Sequence, residues 1–414
     1  MKGVIVMMLA LVSGMLTAQA HVKVGAEVLI ERELGLLKGK RVGVITNHTG
    51  RLPDGTHIVD ALLARGIRVT ALFGPEHGIR GDAPDGESVS HGTDARTGIA
   101  VYSLYGKIVK PTPEMLADVD VLLYDIQDVG VRFYTYISTM ALSMEAAAEQ
   151  GKEFILLDRP NPIRGIDWDG PIRDDSLASF VSLNPIPVSY GMTLGELAAM
   201  VNGEGWLSNG VKAKLTVIPL EGWRRTMWFD KTGLPFVKPS PNLTTLDAVM
   251  LYPGVCFIEG TNVSEGRGTE RPFEQIGAPW IDSKKLADYL NGRRIPGVKF
   301  APLTYTPVDI ARMTADPKYE GKECRGIAIK ITNRERLHPV RMGIEILCAL
   351  KKLFPGDFSW RESRSGGSPY IDKLTGSQLV RTMIDAGKAP EEIYLLFDAA
   401  KQKFGSTRAK YLRY

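Results

Sequence analysis

Four short apolar runs in the first half of this chain each break off into polar, reactive residues. Arg41–Thr46 leads into Asn47-His48-Thr49-Gly50, and Ile67–Phe73 into Gly74-Pro75-Glu76-His77-Gly78. Val121–Tyr124 leads into Asp125-Ile126-Gln127-Asp128, and Phe154–Leu157 into Asp158-Arg159-Pro160-Asn161. The runs read as strands, and the segments between and after them read as helices. Thr56–Arg65 carries an apolar stripe at Ile58, Leu62 and Leu63, and Pro113–Ala117 starts after Thr112. Tyr136–Gln150 ends at Gly151, and Thr193 with Glu196 forms a capping-box pattern for a helix ending near Gly203. Alternation of this kind predicts right-handed crossovers and a mostly parallel α/β sheet. Ligands of such sheets bind in the crevice outside the carboxyl ends of the strands. Four ends bearing Asn, His, Glu and Asp therefore predict a polar, carboxylate-bearing cleft. The pattern points to an enzyme.

With 414 residues the chain exceeds one ordinary core and suits two domains. After Val211–Leu220 the pattern loosens through Trp223, Trp228 and Pro235–Pro241, so the boundary is placed between 21–238 and a smaller unit at 239–414. That second unit is expected to be α/β or α+β. Its strands are predicted at Val249–Ile258, Val298–Leu303 and Gly326–Ile331, and its helices at Lys284–Leu290, Val340–Leu353, Gln378–Ala386 and Glu391–Lys403.

Residues 1–20 read as a signal peptide. Lys2 gives a charged start, Val4–Leu16 is apolar but short for a membrane span, and Ala18-Gln19-Ala20 is a cleavage site. No Cys follows that run, so no lipid anchor is expected, and the mature chain is predicted to be exported, periplasmic or secreted. A formal charge of +4 with scattered basic residues does not call for nucleic acid. Of the three cysteines, Cys256 and Cys348 read as buried small hydrophobes, with one bridge to Cys324 left open.

Two segments concentrate ionisable groups. Glu76 sits at a strand end in a Pro- and Gly-framed turn, where a carboxyl group is suited to protonate a leaving group. The alternative is a structural turn whose Glu caps nearby backbone. The segment Glu259–Glu274 packs four Glu, Arg267, Arg271 and three Gly into sixteen residues. Its arginines suit a carboxylate, and Glu265 or Glu270 suits a base. Its alternative is a solvated loop with internal ion pairs. Paired carboxylates suggest glycoside hydrolysis. His48, His77 and His91 raise zinc, but no HExxH or similar short-spaced ligand set is present. Neither a G-x-G-x-x-G fingerprint nor a P-loop, G-x-S-x-G or S-x-x-K motif occurs. Two rival classes remain: a metal-assisted amidase or esterase, and a non-catalytic binder of wall fragments.

Five segments together resemble one family. They are Gly74-Pro-Glu-His-Gly-Ile-Arg-Gly-Asp82, Asp125-Ile-Gln-Asp-Val-Gly-Val-Arg-Phe-Tyr-Thr-Tyr136, Asp158-Arg-Pro-Asn-Pro162, Pro239-Ser-Pro-Asn242 and Glu259–Glu274. The family is the exo-acting β-N-acetylmuramidases of NamZ type, long catalogued as a domain of unknown function. The resemblance runs from about Gly25 to the C-terminus.

It implies a Rossmann-like domain followed by a smaller domain, with the active site in the cleft between them. It also implies removal of N-acetylmuramic acid from the non-reducing end of peptidoglycan fragments such as MurNAc-GlcNAc and muropeptides, with no metal or other cofactor. The family's catalytic Glu carries over to Glu76. On the residues alone, Glu76 is the expected proton donor, with His77 and Asp125 or Asp128 orienting it. Glu270, or else Glu265, is the expected base, nucleophile or oxocarbenium stabiliser. Arg132, Arg267 or Arg271 is expected on the lactyl carboxylate, and Asn47, His48, Arg80 and Asp158 on the rest of the sugar. Phe133, Tyr134 and Tyr136 read as core or as stacking surface. A nucleophilic acetamido group of the substrate is a third mechanistic option.

Overall fold

The computed structural model describes residues 21–76, 78–80, 92–363 and 366–414. Seven strands form the first sheet: β1 Val42–Thr46, β2 Val69–Gly74, β3 Gly92–Thr93, β4 Ala100–Ser103, β5 Val121–Asp125, β6 Glu153–Leu157 and β7 Lys214–Ile218. Their order is β3-β4-β2-β1-β5-β6-β7, and every pair except β3 with β4 is parallel. The chain winds outward from β1 through β2 to β4, then returns to β5 beside β1 and winds the other way. This is a doubly wound, Rossmann-like sheet with its switch point between β1 and β5. All four predicted strands form within two residues of their expected bounds.

Both faces of the sheet centre are covered, so β1, β2, β5 and β6 are buried almost throughout rather than alternating. Along β5, Val121 and Leu123 join one core cluster while Leu122 and Tyr124 join the other. The helix Tyr136–Glu149 lies on the second face, and Leu194–Gly203 starts at Thr193, whose hydroxyl accepts from the Glu196 amide as the capping box predicts. The expected helix at Pro113–Ala117 is a run of turns instead. Five residues are too few to repay helix nucleation without a strong packing face.

The second half holds a three-stranded antiparallel sheet: β8 Gln275–Ala278, β9 Val298–Tyr305 and β10 Cys324–Ile331, in the order β8-β10-β9. The helices Ser283–Gly292, Pro339–Leu353, Gln378–Asp385 and Pro390–Ala409 accompany it. The expected strand at Val249–Ile258 is a helix, Leu246–Val255, continuing into a tight 3-10 turn at Cys256–Gly260. That helix is buried on all sides, so it shows no periodic stripe. Cys256, Cys324 and Cys348 are free thiols. One core cluster runs unbroken through both halves. Phe133 meets Tyr252 and Phe257 at ring-centroid distances of 5.4 and 6.1 Å.

Candidate active site

A cavity of about 940 Å³ draws its walls from both halves of the chain. From the first half come Glu76, Tyr105, Phe133, Tyr134 and Thr135; from the second come Glu259, Glu265, Arg267, Lys318, Arg361 and Tyr370, among others. Glu76 stands two residues beyond β2, and its Oε2 accepts from the Thr135 hydroxyl at 3.3 Å. Thr135 is the N-cap of the helix Tyr136–Glu149, so that helix start and the end of β2 fix one another. The Tyr105 phenol also bonds to Glu76; burial, and after it the Glu76 charge and this bond, hold its pKa above the ordinary tyrosine range.

The second half of the chain adds an ionic cluster to the wall. The 3-10 turn ending the buried helix presents Glu259, and the loop that follows returns along itself through Gly266 and Gly268 at φ of +82° and +77°. A Cβ at Gly268 would sit 2.7 Å from the Val308 carbonyl oxygen, so only glycine fits. The fold-back carries Arg267 over the Phe273 ring at 5.1 Å and brings its guanidinium within 2.9 Å of Glu259 and 3.2 Å of Glu265. Lys318 donates to Glu265 at 3.0 Å and to the carbonyls of Ile258 and Val263 at 3.1 and 2.8 Å. Asn242, from the Pro239-Ser-Pro-Asn segment, steadies the chain leading to Lys318. Its amide donates to Met313 O at 2.9 Å, and its Oδ1 accepts from Thr314 at 2.6 Å.

Two carboxyl groups thus share Arg267, while Glu265 alone also holds Lys318. The second cation sits on the Glu265 side, so the two carboxyl groups are not equivalent. Burial, with the Glu265 charge beside it, pushes Glu259 up to about 8. Burial lowers Arg267 to about 10, still charged at neutral pH.

Two family models match in sequence: the N-terminal part of exo-β-N-acetylmuramidase NamZ over residues 42–247, and its C-terminal part over 250–414. The peptidoglycan β-N-acetylmuramidase NamZ of Bacillus subtilis is 47% identical over 394 residues, 95% of this chain and 91% of the relative. The chain belongs to the NamZ exo-β-N-acetylmuramidase family. Two crystal structures of DUF1343 family proteins from Bacteroides fragilis share the fold. One has a TM-score of 0.87 at 38% identity, covering 95% of this chain and 99% of that one. The other has a TM-score of 0.77 at 35% identity with the same coverage.

The NamZ-type motifs divide sharply once placed. Glu76, Glu265 and Arg267 reach the cavity; His77 lies outside the described residues, as do His91 and residues 1–20. Glu270 does not line the cavity and is exposed, because the glycine-framed loop turns it outward. Arg271 is likewise exposed and pairs with Glu274 at 3.4 Å. The other expected substrate contacts are structural clamps. Asp125 takes Arg159 through both oxygens at 2.6 and 2.9 Å. Asp158 accepts from Thr193, the Gly195 amide and Tyr414 at 2.7, 2.8 and 2.6 Å, and Asp128 accepts from the Gly130 amide and Tyr190. Burial raises both of these carboxyls to about 6. Asn47 accepts from the Thr49 amide and hydroxyl, and His48 meets the Lys238 carbonyl at 2.7 Å.

Arg80 pairs with Asp94 at 2.9 Å. Arg132 is fully buried, donating to the carbonyls of Pro171, Ile186 and Leu374, which takes it out of the lactyl-binding role. Phe133 and Tyr134 are core residues whose edges floor the cavity, whereas Tyr136 is core alone. The switch-point crevice is closed by bonds of its own, Thr46 to the Asp125 carbonyl at 2.8 Å and the Gln127 amide to Thr49 at 2.9 Å. A smaller cavity of about 240 Å³, lined by Thr49, Arg51, Gln127 and Arg159, lies above it. Among the described residues no three His, Cys, Asp or Glu are grouped to hold a metal ion.

Sequence reasoning missed Glu259 as a separate player, and Tyr105, Lys318, Arg361 and Tyr370 altogether. Glu259 opens a segment that was singled out; the others stand in no motif and join the site only through the fold.

Proposed function

We propose that this protein is an exo-lytic β-N-acetylmuramidase, releasing N-acetylmuramic acid from the non-reducing end of peptidoglycan fragments. One observation carries the reading: a cavity lined by Glu76 and by a Glu259–Glu265 pair sharing one arginine, in a chain that belongs to the NamZ family. Glycoside hydrolysis needs one carboxyl group that holds a proton and one that does not. Glu259, raised by burial and by Glu265, is the proton donor to the glycosidic oxygen. Glu76, which accepts from Thr135 and Tyr105, is the second carboxyl group of the site and is the one set against the oxocarbenium-like transition state. The donor role expected for Glu76 thus passes to Glu259, and Glu76 becomes its partner. Burial and, after it, the Glu265 charge raise Glu259, and Arg267 and Lys318 hold the Glu265 side chain in place.

In this reading the boundary between the two units falls near residue 238 and the site lies between them. The contribution of both Glu76–Val181 and Ser240–Tyr370 to the cavity wall supports it. The first twenty residues direct export to the periplasm or medium. Among the described residues no helix is long and apolar enough to cross a membrane. A mature N-terminus at His21 is expected in cell fractions, and one at Met1 would overturn export.

The deciding experiment gives the purified protein a chromogenic β-N-acetylmuramide. Release of the chromophore by wild type, abolished in Glu76→Gln with an unchanged circular dichroism spectrum, is the expected result. Tight binding without turnover would identify a wall-fragment binder instead.

A further inference from the structure

Among the described residues the cavity contains one well-anchored cation with no carboxylate in contact. Arg267 is taken by Glu259 and Glu265, and Lys318 by Glu265 and two carbonyls. Arg361 makes no ion pair among the described residues. Its position is nonetheless fixed. Its amide donates to the Gly260 carbonyl at 2.9 Å, its carbonyl accepts from the Tyr370 amide at 3.0 Å, and Trp360 beside it bridges to Thr261. The guanidinium lies over the Tyr370 ring at 5.3 Å and reaches the Glu259 carbonyl at 3.4 Å. The Glu259 carboxyl acts on it only through space, and a half-buried guanidinium with no carboxylate in contact is costly unless a ligand supplies one. A planar guanidinium stacked on an aromatic ring is preorganised for two-point binding of a carboxylate.

Resting on the muramidase reading above, we propose that Arg361 is the specificity-determining residue of the site, binding the 3-O-lactyl carboxylate that distinguishes N-acetylmuramic acid from N-acetylglucosamine. Because its backbone is tied to Gly260, the neighbour of Glu259, the position that recognises the sugar is fixed directly to the one that protonates the leaving oxygen. Lys322, the other lining cation with no carboxylate partner among the described residues, is exposed on its loop and keeps its hydration shell, so it is the weaker candidate.

The test compares kcat/KM for chromogenic β-N-acetylmuramide, its lactyl methyl ester and β-N-acetylglucosaminide in wild type, Arg361→Gln and Lys322→Ala. Removing a charge-assisted pair is expected to lower kcat/KM for the muramide roughly 10- to 100-fold in Arg361→Gln. Esterification should cost wild type a similar factor and cost Arg361→Gln almost nothing, and the glucosaminide rate should be equal in the two. A variant that merely misfolds would instead lose all three substrates together, and the wild-type penalty for the ester is then the deciding readout: absence of that penalty overturns the proposal. Undiminished discrimination in Arg361→Gln, or its loss in Lys322→Ala, overturns it too while leaving the muramidase reading intact. Failure of wild type on every substrate would bring down that reading instead.

Discussion

Lys318 donates to Glu265 at 3.0 Å, whereas Glu259, on the other side of the shared Arg267, has no lysine. Burial and the Glu265 charge beside it raise Glu259, and this has a pH signature. A donor raised to about 8 is protonated below that pH and ionised above it, so kcat/KM falls on a basic limb near 8. In Glu265→Gln the repelling charge is gone, and that limb should move to lower pH. A limb that stays in place would detach Glu265 from the chemistry.

The donor and its partner separate by leaving group. An aryl leaving group that departs without protonation does not need Glu259, but the natural disaccharide does. Glu259→Gln should therefore lose roughly 10²–10⁴-fold on MurNAc-GlcNAc and far less on a dinitrophenyl muramide. Glu76→Gln should lose a comparable factor on both. The opposite pattern in steady-state rates would return the donor role to Glu76.

Glu270 and Arg271 face solvent, so Glu270→Gln and Arg271→Gln should keep kcat/KM within roughly twofold of wild type, the scale of exposed substitutions. A large loss on the muramide would mean that the outer side of this loop touches substrate.

Asp125 is expected to act on stability alone. Asp125→Ala leaves Arg159 buried without its carboxylate, a change that costs about 3–5 kcal/mol. Urea unfolding should register that loss, while the residual folded enzyme keeps its KM. A raised KM at unchanged stability would restore Asp125 to the substrate.

The sheet and Glu76 were legible because both follow from local signals: apolar runs, turn residues and a carboxyl at a strand end. The same signal misled at Asp125 and Asp158. Position at a strand end is shared by ligand-facing groups and by groups that staple loops, and only the partners tell them apart. Arg159 and Thr193 are those partners, and the sequence does not pair them with an aspartate 34 or 35 residues away. The helix Leu246–Val255 reads as a strand because burial on every side erases the 3.6-residue period. Lys318 and Arg361 were invisible because they reach the site through packing contacts more than fifty residues long in sequence.

The apolar core that passes without interruption from the first sheet to the second-half helices governs how this molecule handles a guest. Spreading the halves apart would wet Phe133, Tyr252 and Phe257, so the pocket behaves as a mould rather than a jaw. Rigid, flattened sugar mimics carrying an acidic arm should therefore bind it with little reorganisation, and stiffening such inhibitors should improve them more than enlarging them.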